Sequence, residues 1–140
     1  MRFITTLGLI FMSSVSFAEL IESPSLSSLL SSNHWGLVRP DTACIEYYKF
    51  SPDGKVDIKS NQEEVSGRYS FMTSDKPFEL PAVAIQFETD NQKADCSGST
   101  ENQAGTSTLN FLKKQSNEKI YFCVDSLEKN CPVYLRPENP

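Results

Sequence analysis

From Trp35 onward, apolar side chains recur at every second position in short runs separated by turn residues, the period of half-buried β-strands. In Lys55-Val56-Asp57-Ile58-Lys59 the apolar pair Val56 and Ile58 shares one face. Val65, Gly67, Tyr69 and Phe71 alternate with Ser66, Arg68, Ser70 and Met72, and Val83, Ile85 and Phe87 with Ala84, Gln86 and Glu88. Residues 43–50 are rich in β-favouring aromatics and end at Ser51-Pro52-Asp53-Gly54, a tight-turn sequence, so 43–50 and 55–59 are read as a hairpin. Leu109 and Phe111 mark one later strand, Ile120, Phe122 and Val124 the next, with Ser116-Asn117-Glu118 turning between them. Residues 132–136 form a last strand, and Pro137 and Pro140 end regular structure. Counting Trp35-Gly36-Leu37-Val38 as the first gives about eight strands. The polar stretch 90–106 has no alternation and is read as a long loop. There is no internal repeat and no helix–strand alternation, so the fold class is all-β. A small antiparallel up-and-down β-barrel is preferred to a sandwich, because joining the first strand to the last removes two exposed edges.

Two segments precede the barrel domain of residues 34–140. Residues 19–33 are Ser-rich, with Leu26, Leu29 and Leu30 at helical spacing, which predicts a short helix lying against the end of the barrel. Before them, Met1-Arg2 and the apolar run 3–12 lead to Ser16-Phe17-Ala18, the three-part plan of a secretory signal peptide cleaved after Ala18. The apolar run is too short for a comfortable bilayer span, no Cys sits at the cleavage point, and no stable membrane anchor is expected.

Composition narrows the partners. The chain has 140 residues, 18 acidic against 13 basic side chains and a formal charge of −5, which argues against nucleic acid as a ligand. Cys44, Cys96, Cys123 and Cys131 are even in number, and in an exported chain they are read as two disulfides with three conceivable pairings. Cys123–Cys131, closing the loop 124–130, is favoured, leaving Cys44–Cys96 as the long-range bridge. The cysteines lack the close spacing of a zinc site, and no metal or cofactor is expected.

Two residues make the barrel reading more specific. Trp35 opens the first strand, and Arg136 lies in Tyr134-Leu135-Arg136-Pro137 at the last. This resembles the lipocalin-like (calycin) arrangement, in which a Trp near the first strand packs against an Arg near the last. The chain is also similar to small bacterial secreted lipocalin-like proteins in Cys44-Ile45-Glu46-Tyr47-Tyr48-Lys49-Phe50, in Pro52-Asp53-Gly54 and in Gly67-Arg68-Tyr69. It departs from typical lipocalins in carrying Asn33 where the family has Gly, and in leaving no room for a C-terminal helix.

Among candidate chemical groups, Glu46 stands out. It shares a strand face with Cys44, Tyr48 and Phe50, and if that face points inward it needs a partner, for which Arg68 or Arg136 is available. The opposite assignment, with Ile45 and Tyr47 inward and Glu46 in solvent, is slightly preferred. Asp90, Asp95 and Glu101, with Asn91 and Asn102, offer oxygen ligands but not the ordered spacing of a calcium loop, and a solvated loop held by Cys96 is the better reading. Asp95-Cys96-Ser97-Gly98-Ser99-Thr100 lacks the Gly-Lys-Ser/Thr ending of a phosphate loop. The lone His34 and the absence of a Gly-x-Ser-x-Gly elbow argue against a hydrolase, and no enzyme is expected. Tyr47, Tyr48, Tyr69, Tyr121 and Tyr134 could furnish a recognition face, but most are read as core or barrel wall.

The expected function is therefore an exported, monomeric binding module. Its cavity or open end would take a small molecule, with Glu46, Tyr48, Phe50, Tyr69 and Phe87 as candidate ligand-binding residues. The alternative is a periplasmic protein-directed inhibitor or immunity protein similar to the secreted lysozyme inhibitors, whose acidic surface suits a basic enzyme. Ser66-Gly67-Arg68-Tyr69 resembles their Ser-Gly-x-x-Tyr motif but is one residue shorter. An envelope structural protein without a pocket is the third reading.

Overall fold

The computed structural model describes residues 25–140. The signal peptide assigned to 1–18 and the start of the Ser-rich segment lie outside the described residues. One short helix, α1 (Leu26–Ser32), precedes eight strands: β1 (His34–Val38), β2 (Glu46–Phe50), β3 (Lys55–Ser60), β4 (Glu63–Met72), β5 (Ala82–Asp90), β6 (Ser107–Ser116), β7 (Lys119–Cys123) and β8 (Val133–Pro137). Each strand pairs antiparallel with the next in sequence and β8 closes on β1, giving an up-and-down barrel. The all-β barrel with a short helix before it is thus the fold that the two-residue period predicts.

The alternation sets the barrel wall. In β3, Val56, Ile58 and Ser60 are buried and Lys55, Asp57 and Lys59 exposed; in β4, Glu63, Val65 and Gly67 are buried. The β2–β3 turn is held by the Gly54 amide donating to the Ser51 carbonyl at 3.0 Å and by Asp53 accepting from the Lys55 amide at 3.1 Å. Gly54 has φ 90°, a left-handed backbone that glycine adopts without a side-chain clash. The register shifts at Ser66/Gly67, a bulge where β4 bends against β5.

One half of the interior is filled. Leu29, Leu30, Trp35, Phe50, Val56, Ile85 and Leu135 are almost wholly buried in a continuous apolar cluster. Helix α1 packs Leu29 and Leu30 into it, and the Trp35 indole donates to the Leu30 carbonyl at 2.9 Å. Tyr69 adds an edge-on contact with Phe50 and donates its hydroxyl to the Ser51 carbonyl at 2.8 Å.

Two expectations change. Residues 43–45 do not extend β2, since Cys44 leaves the strand line for a bridge to Cys96. The Trp35–Arg136 packing implied by the lipocalin resemblance is absent: Arg136 lies opposite Gly36 in the register and pairs with Glu138 at 2.9 Å. Side chains alternate along β1, so Arg136 stands on the outer face while Trp35 is inside.

Both expected disulfides form, Cys44–Cys96 across 52 residues and Cys123–Cys131 across 8. They fit an oxidising, exported location. No helix among the described residues is long and apolar enough to cross a membrane.

Candidate functional site

The register of β1 to β4 stacks the interior in levels. Leu37 pairs with Glu46, Glu46 with Ser60, and Ser60 with Glu63. Three consecutive strands therefore place polar side chains at one height, above a level of Trp35, Tyr48, Ile58 and Val65. Glu46, Tyr48 and Phe50 point inward, so the solvated placement of Glu46 is overturned: the pairing of β2 with the alternating β3 fixes which face is inside.

Above the filled half lies a cavity of about 310 Å³, within the range of small-molecule sites. Leu37, Tyr48, Phe87, Phe122 and Val133 form its apolar wall, and Arg39, Glu46, Ser60, Glu63, Asp95 and Gln103 gather on its polar side. Depressions of about 600 and 590 Å³ also exist, but they lie against outward-facing side chains such as Lys49, Asp57, Lys59 and Glu64, or Arg68, Ser70 and Gln86. The interior cavity is smaller and has the mixed, inward-facing lining.

Loop 91–106, the cover loop, brings Asp95 and Gln103 to the polar side of the cavity and is tied down at several points. The Cys96 amide donates to Ser60 Oγ at 3.0 Å, the Gln103 amide to Asp90 Oδ2 at 2.8 Å, and the Gln62 amide to the Ala94 carbonyl at 3.1 Å. Asp95 Oδ1 accepts from the Ser97 and Ser99 amides and the Ser97 hydroxyl, at 2.7–2.9 Å. Those bonds, the Ser97 hydroxyl foremost, hold the Asp95 carboxyl below its usual range. Asp90 and Asp95, two of the loop's oxygen-bearing side chains, are thus spent on ordering the loop's own turns.

The electrostatics divide between two glutamates. Arg39 forms an ion pair with Glu46 at 3.0 Å, taking the place expected for Arg68 or Arg136. Glu63 is 2% exposed and has no cation at ion-pair distance among the described residues. Among the described residues its two oxygens accept only from the Gln103 side-chain amide, at 3.2 Å each. Burial pushes its carboxyl pKa up, the nearby Asp90 charge adds to the rise, and the Gln103 bond opposes it. The Tyr48 phenol is also pushed up, first by burial and then by the Glu46 charge, with its hydroxyl 3.5 Å from Glu46 Oε2.

Of the five candidate ligand-binding residues, Glu46, Tyr48 and Phe87 line the cavity. Phe50 and Tyr69 sit in the filled half, where Phe50 is 1% exposed. Tyr121 and Tyr134 lie on the outer wall beneath Lys119, whose ammonium is 4.3 Å from the Tyr134 ring centre. Sequence reasoning missed Glu63, Ser60, Arg39 and Gln103. For Glu63 a signal was present: carrying the alternation of Val65, Gly67 and Tyr69 two residues back puts it on the inward face.

Comparison with protein-family models, with curated proteins and with solved structures finds no match for this chain.

Proposed function

We propose that this protein is an exported, non-enzymatic binding module that takes a small molecule into the open half of its barrel. One observation carries the reading: a closed eight-strand barrel, plugged at one end by α1, Trp35 and Phe50, keeps a cavity of about 310 Å³ with aromatic walls and inward-facing polar groups. Close-packed interiors rarely retain space of this size without a use for it. The two disulfides support a life outside the reducing cytoplasm. The cover loop 91–106 supports a small ligand over a protein partner, because Asp90, Asp95 and Gln103 bond within the loop and to the barrel.

The test is native mass spectrometry of the full chain produced with its leader in an exporting bacterial host. The expected result is a co-purified small molecule that is lost in a Tyr48→Ala variant with an unchanged far-ultraviolet spectrum. Retention of the molecule by that variant overturns the assignment of the site to the cavity.

A further inference from the structure

The cavity's charges do not balance, and the imbalance has a direction. The charged groups facing it come from four places: Arg39 after β1, Glu46 in β2, Glu63 in β4, and Asp95 in the cover loop. The contributions of β3, β5, β6, β7 and β8 are Ser60, Phe87, Thr108 with Asn110, Phe122 and Val133, none of them ionised. Three carboxylates therefore face one guanidinium, and that guanidinium is engaged by Glu46 at 3.0 Å. Asp95 is satisfied by the loop's own hydrogen bonds.

Glu63 is left over. A carboxylate can accept about four hydrogen bonds, and this one, 2% exposed, receives a single amide group. Its negative charge has no countercharge among the described residues while it borders an accessible cavity. A buried charge in that state is costly, and what relieves it is either a proton, the direction in which burial pushes this carboxyl, or a cation that completes it. An anionic ligand would add repulsion, and a neutral apolar one would remove the remaining water from the carboxylate. A cation would supply both the missing charge and the missing donors. The facing wall suits such a ligand: Tyr48, Phe87 and Phe122 offer ring surfaces to an apolar body, and an ammonium is attracted to aromatic faces.

We propose that the cavity selects an organic amine, its ammonium held by Glu63 beside the Arg39–Glu46 pair and its apolar body against Tyr48, Phe87 and Phe122. This rests on the small-molecule reading above and adds the charge class of the ligand.

The test compares three probes of similar shape and different charge, phenethylamine, phenethyl alcohol and phenylpropionate, by titration calorimetry with the intact chain. Phenethylamine is expected to bind at least about tenfold more tightly than the other two, the scale of a charge-assisted hydrogen bond. In Glu63→Gln, which keeps the side-chain shape and an acceptor for Gln103, the amine is expected to lose about tenfold in affinity and the alcohol to lose none. The comparison among probes on the unsubstituted protein stands even if that variant folds poorly. Equal affinity for the alcohol or the acid, or an unchanged amine affinity in Glu63→Gln, overturns the amine proposal and leaves the binding module standing. If none of the three binds, the charge of the molecule found by native mass spectrometry decides: a cation supports the proposal and a neutral or anionic species overturns it. No bound probe and no co-purified molecule removes the binding module and the amine proposal together.

Discussion

Gln103 donates its side-chain amide to both carboxylate oxygens of Glu63, 3.2 Å from each, across 40 residues of sequence. The contact joins the cover loop to the wall of the barrel at its most buried acidic group. Glu63 also couples the fold to pH, because burial and the Asp90 charge raise its pKa against the opposing Gln103 bond.

The sign of that coupling is definite. A carboxyl whose pKa is raised on folding keeps its proton in the native state after the unfolded chain has released it. Stability from this group is therefore full below the ordinary carboxyl pKa and falls as pH rises through the raised value. Glu63→Gln removes the dependence. Urea denaturation of both proteins between roughly pH 4 and 7 is expected to show the variant gaining on the wild type as pH rises. A difference that stays constant with pH counts against the raised pKa.

Tyr48 gives a second titration test. Its phenol is held protonated by burial and by the Glu46 charge, whereas Tyr47, Tyr121 and Tyr134 lie towards the outer wall. Alkaline titration followed by phenolate absorbance is expected to show Tyr48 silent until the barrel unfolds. Tyr48→Phe should then leave the amplitude of the native titration unchanged. A loss of one tyrosine's share of that amplitude would place the phenol in ordinary surroundings.

Gly67 sits at the β4 bulge with its missing side chain aimed at β5. A Cβ there would overlap the Gln86 carbonyl oxygen and lie 3.0 Å from the Gln86 carbonyl carbon. Both are backbone atoms that cannot swing aside. Gly67→Ala is expected to cost about 3 kcal/mol, the upper part of the overpacking range. Arg68→Ala, one position along on the exposed face, should stay within about 0.5 kcal/mol. Chemical denaturation of both variants checks the contrast.

The barrel was legible in the chain because its signal is local. Alternation in 55–59, 65–72 and 83–88 needs no knowledge of the neighbouring strands. The inward face of β2 was not legible, since Tyr47 and Tyr48 are both aromatic and either parity looks apolar enough. Only the pairing of Tyr48 with Ile58 and of Phe50 with Val56 decides it. The polar level of Glu46, Ser60 and Glu63 depends on two hairpin registers at once, and Arg39 and Gln103 arrive from loops, where side-chain direction has no period to betray it. The lipocalin resemblance led to the right wall and the wrong contact: β8 does close on β1, but Arg136 stands opposite Gly36 on the outer face.

The two disulfides differ in what they hold, and their removal separates loop order from global stability. Cys44–Cys96 spans 52 residues and fastens the cover loop to the segment before β2, whereas Cys123–Cys131 spans 8 and closes one surface loop. On the chain-entropy account, replacing the first pair by serines costs about 4 kcal/mol and the second about 2.5 kcal/mol. Global denaturation alone would rank them and say nothing about the cavity. The Cys96 amide reports the difference, because its bond to Ser60 Oγ lies at the mouth, where Ser60 is 3% exposed. In the Cys44→Ser/Cys96→Ser variant, hydrogen exchange at position 96 and at Gln103 is expected to quicken by more than the loss of global stability explains. In the Cys123→Ser/Cys131→Ser variant, exchange at both positions should follow global stability alone. Protection that survives loss of the first bridge would mean that Ser60, Asp90 and Glu63 hold the cover loop without it.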